Sequence, residues 1–198
     1  MSADYKLIPA IRKRRSVRKF TDKPVEQKKI ISCLEAARIA PSAENVQPWR
    51  FIVLADQEKK DSFGKKAFSG LYRPTRWALQ APVLIAIASD KSLIAHKIGG
   101  TLQKIPFDIL DVGIAGEHLC LQAVYLGLGT CWIGWFNKKK AESFFDLPGN
   151  NSIYGIIAMG YPAGKQGRRR RKKELGEIAF LNEWGRAFPE RKKNTEDE

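Results

Sequence analysis

The segment from Asp108 to Gly127 places the strongest constraint on the fold of this chain. Its apolar residues recur so densely that they would cover most of the circumference of an α-helix. Such a segment predicts a helix buried in the core of a domain or between two subunits. Gly113 and Gly116 each cost roughly 1 kcal/mol of helix propensity relative to alanine. We therefore expect another backbone, or a flat ligand, to pack closely against the helix at these glycines.

Shorter patterns on both sides of this segment alternate irregularly between helix and strand. The predicted helices are 5–15, 25–40 and 137–148. The predicted strands are 49–55, 81–88 and 154–161, and residues 127–135 predict a turn followed by a strand. The polar and poorly periodic segment 56–80 predicts a helix followed by a loop. No repeat and no linker rich in Pro, Gly or Ser divides the chain. We therefore predict one α+β domain over 1–188 and a charged, frayed tail over 189–198.

Charge is concentrated in two short segments of the sequence. The 198 residues include 35 basic and 21 acidic side chains, which gives a formal charge of +14. Residues 12–19 hold six of the basic side chains, residues 168–173 hold six more, and the rest of the chain is nearly neutral. Two local clusters of this kind favour a bound anion over a uniformly basic surface for nucleic acid. By charge alone, two solvated faces explain the pattern equally well.

The residues offer no evident nucleophile, acid–base pair or metal site. His96 and His118 have no ligand-type spacing, and a histidine inside a buried helix is more often a hydrogen-bonded core residue than a catalyst. The three cysteines, Cys33, Cys120 and Cys131, also lack metal-type spacing. We therefore predict no metal and no catalytic side chain, so that the reactive atoms of an enzyme built on this chain would belong to a cofactor.

The sequence also predicts where the protein resides. No apolar stretch approaches the roughly 18 residues that a membrane span needs. The first residues lack the apolar core of a secretory signal, and three cysteines are most simply interpreted as reduced thiols. We expect a cytoplasmic protein with no membrane partner.

Three segments carry groups suited to one flat, anionic ligand. Residues 14–20, RRSVRKF, offer guanidinium groups and a hydroxyl that bind phosphate oxygens well. The loop 41–49, PSAENVQPW, supplies neutral hydrogen-bonding groups for a polar heterocycle. Residues 127–134, GLGTCWIG, place glycines where backbone can approach a planar ring without a Cβ in the way. The run 168–173 is a second reservoir of cations.

The order of these segments resembles the FMN-dependent nitroreductase family. The resemblance rests on RRSVRKF, AARIAPSAENVQPWRFIVL, DVGIAGEHLCLQAVYLGLGTCWIGW, IIAMGYPAG and a basic run leading to EIAFLNEW. It implies a three-layer α+β sandwich, with a central, mostly antiparallel sheet flanked by helices, in an intertwined homodimer with FMN at the subunit interface. It also implies that NADH or NADPH reduces FMN by a ping-pong route. The second substrate would be an electron-poor small molecule such as a nitroaromatic, quinone or enone.

The same resemblance implies a set of cofactor-binding residues. The FMN phosphate would be bound by Arg14, Arg15, Ser16 and Arg18, together with Arg170 and Lys172. The isoalloxazine ring would meet a loop of the second subunit containing Pro41, Ser42, Ala43, Asn45 and Gln47. Ile133 and Gly134 would lie at a strand end beside the flavin. For the pyrimidine edge of the ring, Arg76 is a weak candidate.

Three other functions stay open at this stage. Relatives with dehalogenase or flavin-destroying activity would share the cofactor site and differ in the segment that covers it. A flavin-binding protein with a storage or regulatory role would keep the site without turnover. A basic nucleic-acid-binding protein would use the two cationic runs, although the sequence has no RNP-type, helix-turn-helix or zinc-finger motif.

Overall fold

The computed structural model describes residues 7–90, 105–164 and 171–189. The chain divides into a larger compact unit, Pro9–Gln166, and a smaller one that combines Met1–Ile8 with Gly167–Glu198. The prediction of one domain over 1–188 stays a prediction. Most of the tail predicted to be frayed, residues 190–198, lies outside the described residues.

The larger unit is built on a four-stranded sheet. Its strands are β1 (Trp49–Leu54), β2 (Val83–Asp90), β3 (Gly129–Ile133) and β4 (Asn151–Gly160). Their spatial order is β1-β2-β4-β3, and each neighbouring pair is antiparallel. The central strands β2 and β4 are buried along most of their length, which explains why their sequences are nearly continuous apolar runs. All four predicted strands are confirmed, with β4 beginning before the predicted start at Tyr154.

Helices cover both faces of the sheet. They are α1 (Pro9–Lys13), α2 (Gln27–Arg38), α3 (Gln57–Ala67), α4 (Phe107–Tyr125) and α5 (Lys138–Phe144), with 3₁₀ segments at Ala43–Asn45 and Gly70–Gln80. The helix predicted over 5–15 is shorter in the structure. The chain leaves α1 after Lys13 because the next residues pair with β3, where the Val17 N–H donates to the Thr130 carbonyl at 2.9 Å.

Alternate residues of the central strands point to opposite faces of the sheet, so each face has its own apolar core. On one face, Leu84, Ala86 and Ala88 pack in a cluster with Phe63 of α3 and Ala141 of α5. On the other face, a second cluster packs strand residues against helices α2 and α4. Its members from the central strands β2 and β4 are Val83, Ile85, Ile87, Ile157 and Met159. The sheet therefore lies between two helical layers, and the predicted α+β fold is confirmed.

The long helix α4 is buried on one side and open on another. Val112, Ala115 and Leu119 pack in the second core. Ile109, Leu110 and Ile114 form an exposed apolar stripe, with relative exposures of 45%, 54% and 39%. The prediction of a buried helix is thus confirmed for the side that faces the sheet.

Gly116 is required by close packing, but the group that packs there is a side chain, where the sequence analysis expected another backbone or a flat ligand. A Cβ at this position would overlap the indole ring of Trp132, and a Cβ at Gly155 of β4 would lie 2.9 Å from the same ring. Trp132 therefore occupies a slot between α4 and β4, and the flat group beside Gly116 is a side chain of the protein itself. A Cβ at Gly113 would have no atom within 4 Å.

The smaller unit contains one short element within its described residues. A 3₁₀ turn at Leu175–Glu177 begins with a capping box, in which the Glu174 N–H donates to the Glu177 carboxylate at 2.7 Å. Phe180 and Ala187 form an isolated antiparallel bridge, and Phe180 contacts the exposed ring of Trp184. Across the described parts of both units, no helix combines the length and the apolar character that a membrane crossing requires.

Candidate functional site

The first basic motif lies against strand β3. Ser16 forms a parallel bridge with Thr130, and this pairing brings Arg14, Ser16 and Arg18 close to the Cys131 thiol. Burial raises the pKa of that thiol, whereas the positive charge of Arg18, a hydrogen bond with Ser16 and the charge of Arg14 oppose the rise. The bridge therefore places a segment with two guanidinium groups and a hydroxyl along β3, and groups of these types bind anions well.

Two further contacts orient the arginines of this motif. Arg14 Nε lies 3.1 Å from a carboxylate oxygen of Glu117, on helix α4. The Arg18 guanidinium lies over the ring of Trp77, 5.8 Å from its centroid. Both contacts leave donor groups of each guanidinium available, because an arginine side chain has five N–H donors.

Strand β3 ends beside an open and partly aromatic surface. Ile133 is buried, whereas Gly134 is exposed and a Cβ there would meet nothing within 4 Å. The next residue, Trp135, is 59% exposed and yet fixed at both ends. Its indole N–H donates to the Leu71 carbonyl at 3.1 Å, and its own carbonyl accepts from the Thr75 hydroxyl at 2.9 Å.

The loop before β1 has an unusual backbone. Glu44, Asn45 and Gln47 have φ values of 50°, 57° and 50°, in the left-handed region that favours glycine. Each such residue costs roughly 1–3 kcal/mol, and backbone strain of this kind is concentrated at functional sites. The sequence predicted a loop here from its prolines and polar residues, but the strain was not predictable from residue types alone.

Hydrogen bonds hold the loop in this conformation. The Ser42 hydroxyl accepts from the Gln47 N–H at 2.9 Å, and the Gln47 side chain donates to the Asn45 carboxamide oxygen at 3.0 Å. On helix α4, the Asp111 carboxylate accepts from the Ala43 N–H at 3.1 Å. Arg50 donates to the Gln47 carbonyl at 3.2 Å.

Within the larger unit, the loop and the basic motif lie apart. The loop enters β1, at one edge of the sheet, and the motif pairs with β3, at the other edge. Three strand spacings separate these edges, which corresponds to about 14 Å. On helix α4 the loop meets Asp111 and the motif meets Glu117, residues separated by about 9 Å along the axis and about 120° around it.

The structure thus brings together part of the predicted cofactor-binding set. Arg14, Ser16 and Arg18 lie beside the strand that leads to Ile133 and Gly134, and Arg15 follows in the same segment. Pro41, Ser42, Ala43, Asn45 and Gln47 form the separate strained loop. Arg170 lies outside the described residues, and Lys172 is an exposed residue of the smaller unit. The assignment of all these residues to FMN stays a prediction.

Sequence reasoning missed three residues that shape this region. Asp111 and Glu117 are acids within a mostly apolar helix, and this mismatch was a signal that each has a polar partner. Asp111 is 5% exposed and is held by the Ala43 N–H, while Glu117 pairs with Arg14. Trp135 gave no such signal, since an aromatic residue after a strand is also typical of a core.

Other reactive groups of the larger unit are protected. Burial raises the pKa of the Cys33 thiol to about 11 and that of Cys120 to about 12. A ring nitrogen of His118 lies 3.3 Å from the Ala36 carbonyl, as expected of a histidine that helps to pack α2 against α4. His96 lies outside the described residues. Among the residues that are described, no group of three or more potential ligands could hold a metal ion.

The fold and the site define a class: an α+β protein with a basic segment at one edge of an antiparallel sheet and a strained polar loop at the other. The nitroreductase family model matches residues 11–161, and the chain belongs to this family. A Bacillus subtilis protein named FMN reductase [NAD(P)H] is 29% identical over 83% of this chain and 69% of its own length. The chain is accordingly an enzyme, an oxidoreductase.

Solved structures support the same assignment. A nitroreductase family protein from Clostridium difficile aligns with a TM-score of 0.72 and 30% identity, over 88% of this chain and 96% of its own. A structure described as an FMN-dependent nitroreductase from Clostridium difficile aligns with a TM-score of 0.73 and 29% identity, over 90% of this chain and 100% of its own.

Proposed function

We propose that the protein is a homodimeric FMN-dependent oxidoreductase that transfers a hydride from NADH or NADPH, through FMN, to an electron-poor small molecule. Nitroaromatics, quinones and enones are the acceptors that we expect. The observation that carries the proposal is the pairing of the segment that holds Arg14, Ser16 and Arg18 with Thr130 of β3, the strand that leads to the open backbone at Gly134.

The charges of this cluster fit the phosphate of FMN. Arg14 and Arg18 contribute positive charge, and Glu117 forms an ion pair with Arg14. Positive groups of this kind attract a phosphate monoester, which carries a charge of about −2. We infer that Glu117 also orients Arg14, because a guanidinium held on one side presents its other N–H groups in a fixed direction.

The strand end fits the planar ring of the same cofactor. Gly134 leaves space in front of the backbone, so a flat group can approach the peptide N–H groups there. Arg76 lies between Thr75, which binds the Trp135 carbonyl, and Trp77, which lies beneath Arg18. This position makes Arg76 our candidate for the cation at the pyrimidine edge, where positive charge stabilises the anion that forms on reduction.

The separation of loop and motif supports a site shared by two chains. A loop on the far side of α4 cannot reach the motif of its own chain without leaving the bonds that hold it. The exposed stripe of Ile109, Leu110 and Ile114 offers an apolar surface between the two. Exposed apolar patches of this kind mark protein–protein interfaces. A second copy packed on this stripe would bring its loop toward the basic motif.

Bound FMN would supply the chemistry, which is acceptance of a hydride from the nicotinamide and its donation to the acceptor. The residues of this chain would bind FMN and orient its phosphate and its ring. The arginines hold the phosphate, the backbone at Gly134 and the polar loop hold the two sides of the ring, and Trp135 limits access of water at the strand end.

The purified protein provides the first test. A yellow protein whose colour bleaches on anaerobic addition of NADH or NADPH, and returns on addition of a nitroaromatic or a quinone, would support the proposal. Colour without bleaching would support a flavin-binding protein without turnover. A colourless protein that shifts DNA in a salt-dependent manner would overturn the proposal in favour of nucleic-acid binding.

A double substitution tests the anion site. We expect Arg14→Ala with Arg18→Ala to weaken FMN binding by tenfold or more, because each charge-assisted hydrogen bond contributes roughly 1.5–3 kcal/mol. The far-ultraviolet circular dichroism spectrum should stay that of the wild type. The control is Arg38→Ala, which removes an exposed arginine of helix α2 that pairs with Glu35. Unchanged FMN affinity in the double variant would contradict the assignment.

A further inference from the structure

The strained loop, defined here as Ser42–Gln47, is fixed to the body of the protein through a buried carboxylate. Its internal hydrogen bonds, from Gln47 to Ser42 and to Asn45, move with the loop and do not determine where it lies. Its connections to other elements include the bonds from Ala43 to Asp111 on α4 and from Arg50 on β1 to Gln47. Arg50 is exposed, whereas Asp111 is 5% exposed.

The surroundings of Asp111 disfavour a charged carboxylate, so its hydrogen bond to Ala43 is needed to stabilise it. Burial raises the pKa of the Asp111 carboxyl, the Ala43 N–H lowers it, and the nearby Asp108 raises it. A carboxylate in such a place is stable only when donors satisfy its oxygens. The Ala43 N–H is one of these donors, and it belongs to the first residue of the 3₁₀ turn that contains the strained residues Glu44 and Asn45.

Asp108 provides a natural comparison on the preceding turn of the same helix. It is 6% exposed, and its carboxylate accepts a hydrogen bond from the Tyr154 hydroxyl at 2.5 Å. Tyr154 belongs to β4, so the bond of Asp108 connects the helix to the sheet, whereas that of Asp111 connects the helix to the loop. The two acids lie on the same helix, are similarly buried and have the same side chain. They differ in their hydrogen-bond partner, which is Ala43 of the loop for Asp111 and Tyr154 of β4 for Asp108.

We propose that Asp111 is a positioning residue: its carboxylate fixes the strained loop of one protomer in the conformation that contacts the flavin ring bound by the other protomer. This inference rests on the proposed function, since it assumes FMN and a site shared by two chains. It adds a residue that touches neither cofactor nor substrate. Asp111 acts by removing alternative loop conformations, so that less entropy is lost when the ring binds.

Substitutions at the two acids test the proposal. We expect Asp111→Ala to weaken FMN binding about tenfold, as measured by fluorescence titration of the apoprotein, and to shift the visible spectrum of the bound flavin. Asp111→Asn keeps an acceptor oxygen and should restore most of the affinity and the wild-type spectrum. Asp108→Ala should lower the free energy of unfolding without changing either flavin readout. Equal loss of FMN affinity in Asp111→Ala and Asp108→Ala would overturn the positioning role.

A mixed dimer tests whether the loop acts on the other protomer. One chain carries Arg14→Ala and Arg18→Ala and keeps its loop, while the other carries Asp111→Ala and keeps its basic motif; two different affinity tags isolate the mixed species. We expect one site of wild-type affinity per mixed dimer. If no such site appears, although the wild type binds FMN, the loop acts within its own chain and the proposal fails. If the wild type binds no FMN, it is the proposed function that fails.

Discussion

Trp132 lies in a slot whose two walls depend on single glycines. Gly116 on α4 and Gly155 on β4 have no room for a Cβ against its ring. We predict that Gly116→Ala lowers the free energy of unfolding by about 1–3 kcal/mol, the usual cost of overpacking a tight core. Urea denaturation followed by circular dichroism measures this value.

The control for this experiment is Gly149→Ala. A Cβ at Gly149 would meet nothing within 4 Å, and its backbone is outside the left-handed region. Its unfolding midpoint should stay near that of the wild type. A Gly116→Ala variant as stable as this control would show that the slot is wider than described.

Glu26 makes the stability of the protein depend on acidity. The Tyr161 hydroxyl donates to it at 2.6 Å, and this bond, with the charges of Lys29 and Lys23, lowers the pKa of the Glu26 carboxyl from 4.5 to about 2. As pH falls, the unfolded chain binds the proton first. The contribution of Glu26 is therefore complete above the unfolded pKa of 4.5 and is lost as pH approaches about 2.

Glu26→Gln should remove this part of the acid sensitivity. We predict that its free energy of unfolding declines less between about pH 5 and about pH 3 than that of the wild type, as measured by urea titrations at several pH values. Glu35→Gln, which affects an exposed pair with Arg38 on the same helix, should keep the wild-type slope. Parallel pH profiles for Glu26→Gln and the wild type would contradict the prediction.

Among the helices, α3 depends on a side-chain cap. The Asp56 carboxylate accepts from the Lys59 N–H at 2.8 Å, which satisfies one donor of the first turn. We predict that Asp56→Ala lowers the free energy of unfolding by about 0.5–2 kcal/mol, measured by thermal and urea denaturation. Asp56→Ser keeps an acceptor and should lose much less. If both variants lose the same amount, the cap has no specific role.

Elements of this fold were predictable where a simple period dominated. Strands β2 and β4 were predictable from their continuous apolar runs, and helix α4 from its dense apolar pattern. These patterns arise because buried elements contain few polar residues. The end of α1 was not predictable, since it depends on a hydrogen bond from Val17 to the distant Thr130. The 3₁₀ segment Gly70–Gln80, which contains Pro74, was predicted as a loop.

The sequence was sufficient to predict which segments form the candidate site, but not how these segments are arranged in space. Guanidinium groups, amides and glycines in family order identified the segments that carry it. Their distribution on two sides of α4 is a property of chain topology, which no local pattern contains. The roles of Asp111 and Glu117 were not predictable for the same reason. Their partners, Ala43 and Arg14, are distant in sequence and are identified only by the structure.

For the molecule as a whole, the apolar stripe on α4 has the largest consequence. The proposed homodimer would pack on this stripe, so we predict that the wild type is a dimer and Leu110→Glu a monomer in analytical ultracentrifugation, because a charge in a desolvated interface lacks a partner. FMN should be lost in the same variant. Lys139→Glu, an exposed change on α5, should alter neither property. A dimeric Leu110→Glu protein that binds FMN would place the subunit contact elsewhere.

All three cysteines of the chain are buried, and burial raises the pKa of each thiol. Since maleimides and peroxide attack the thiolate, the folded protein resists both. We therefore expect the three native cysteines to react little with thiol-directed labels. A cysteine introduced at one exposed position would carry a fluorophore or spin label with little competition from the native thiols.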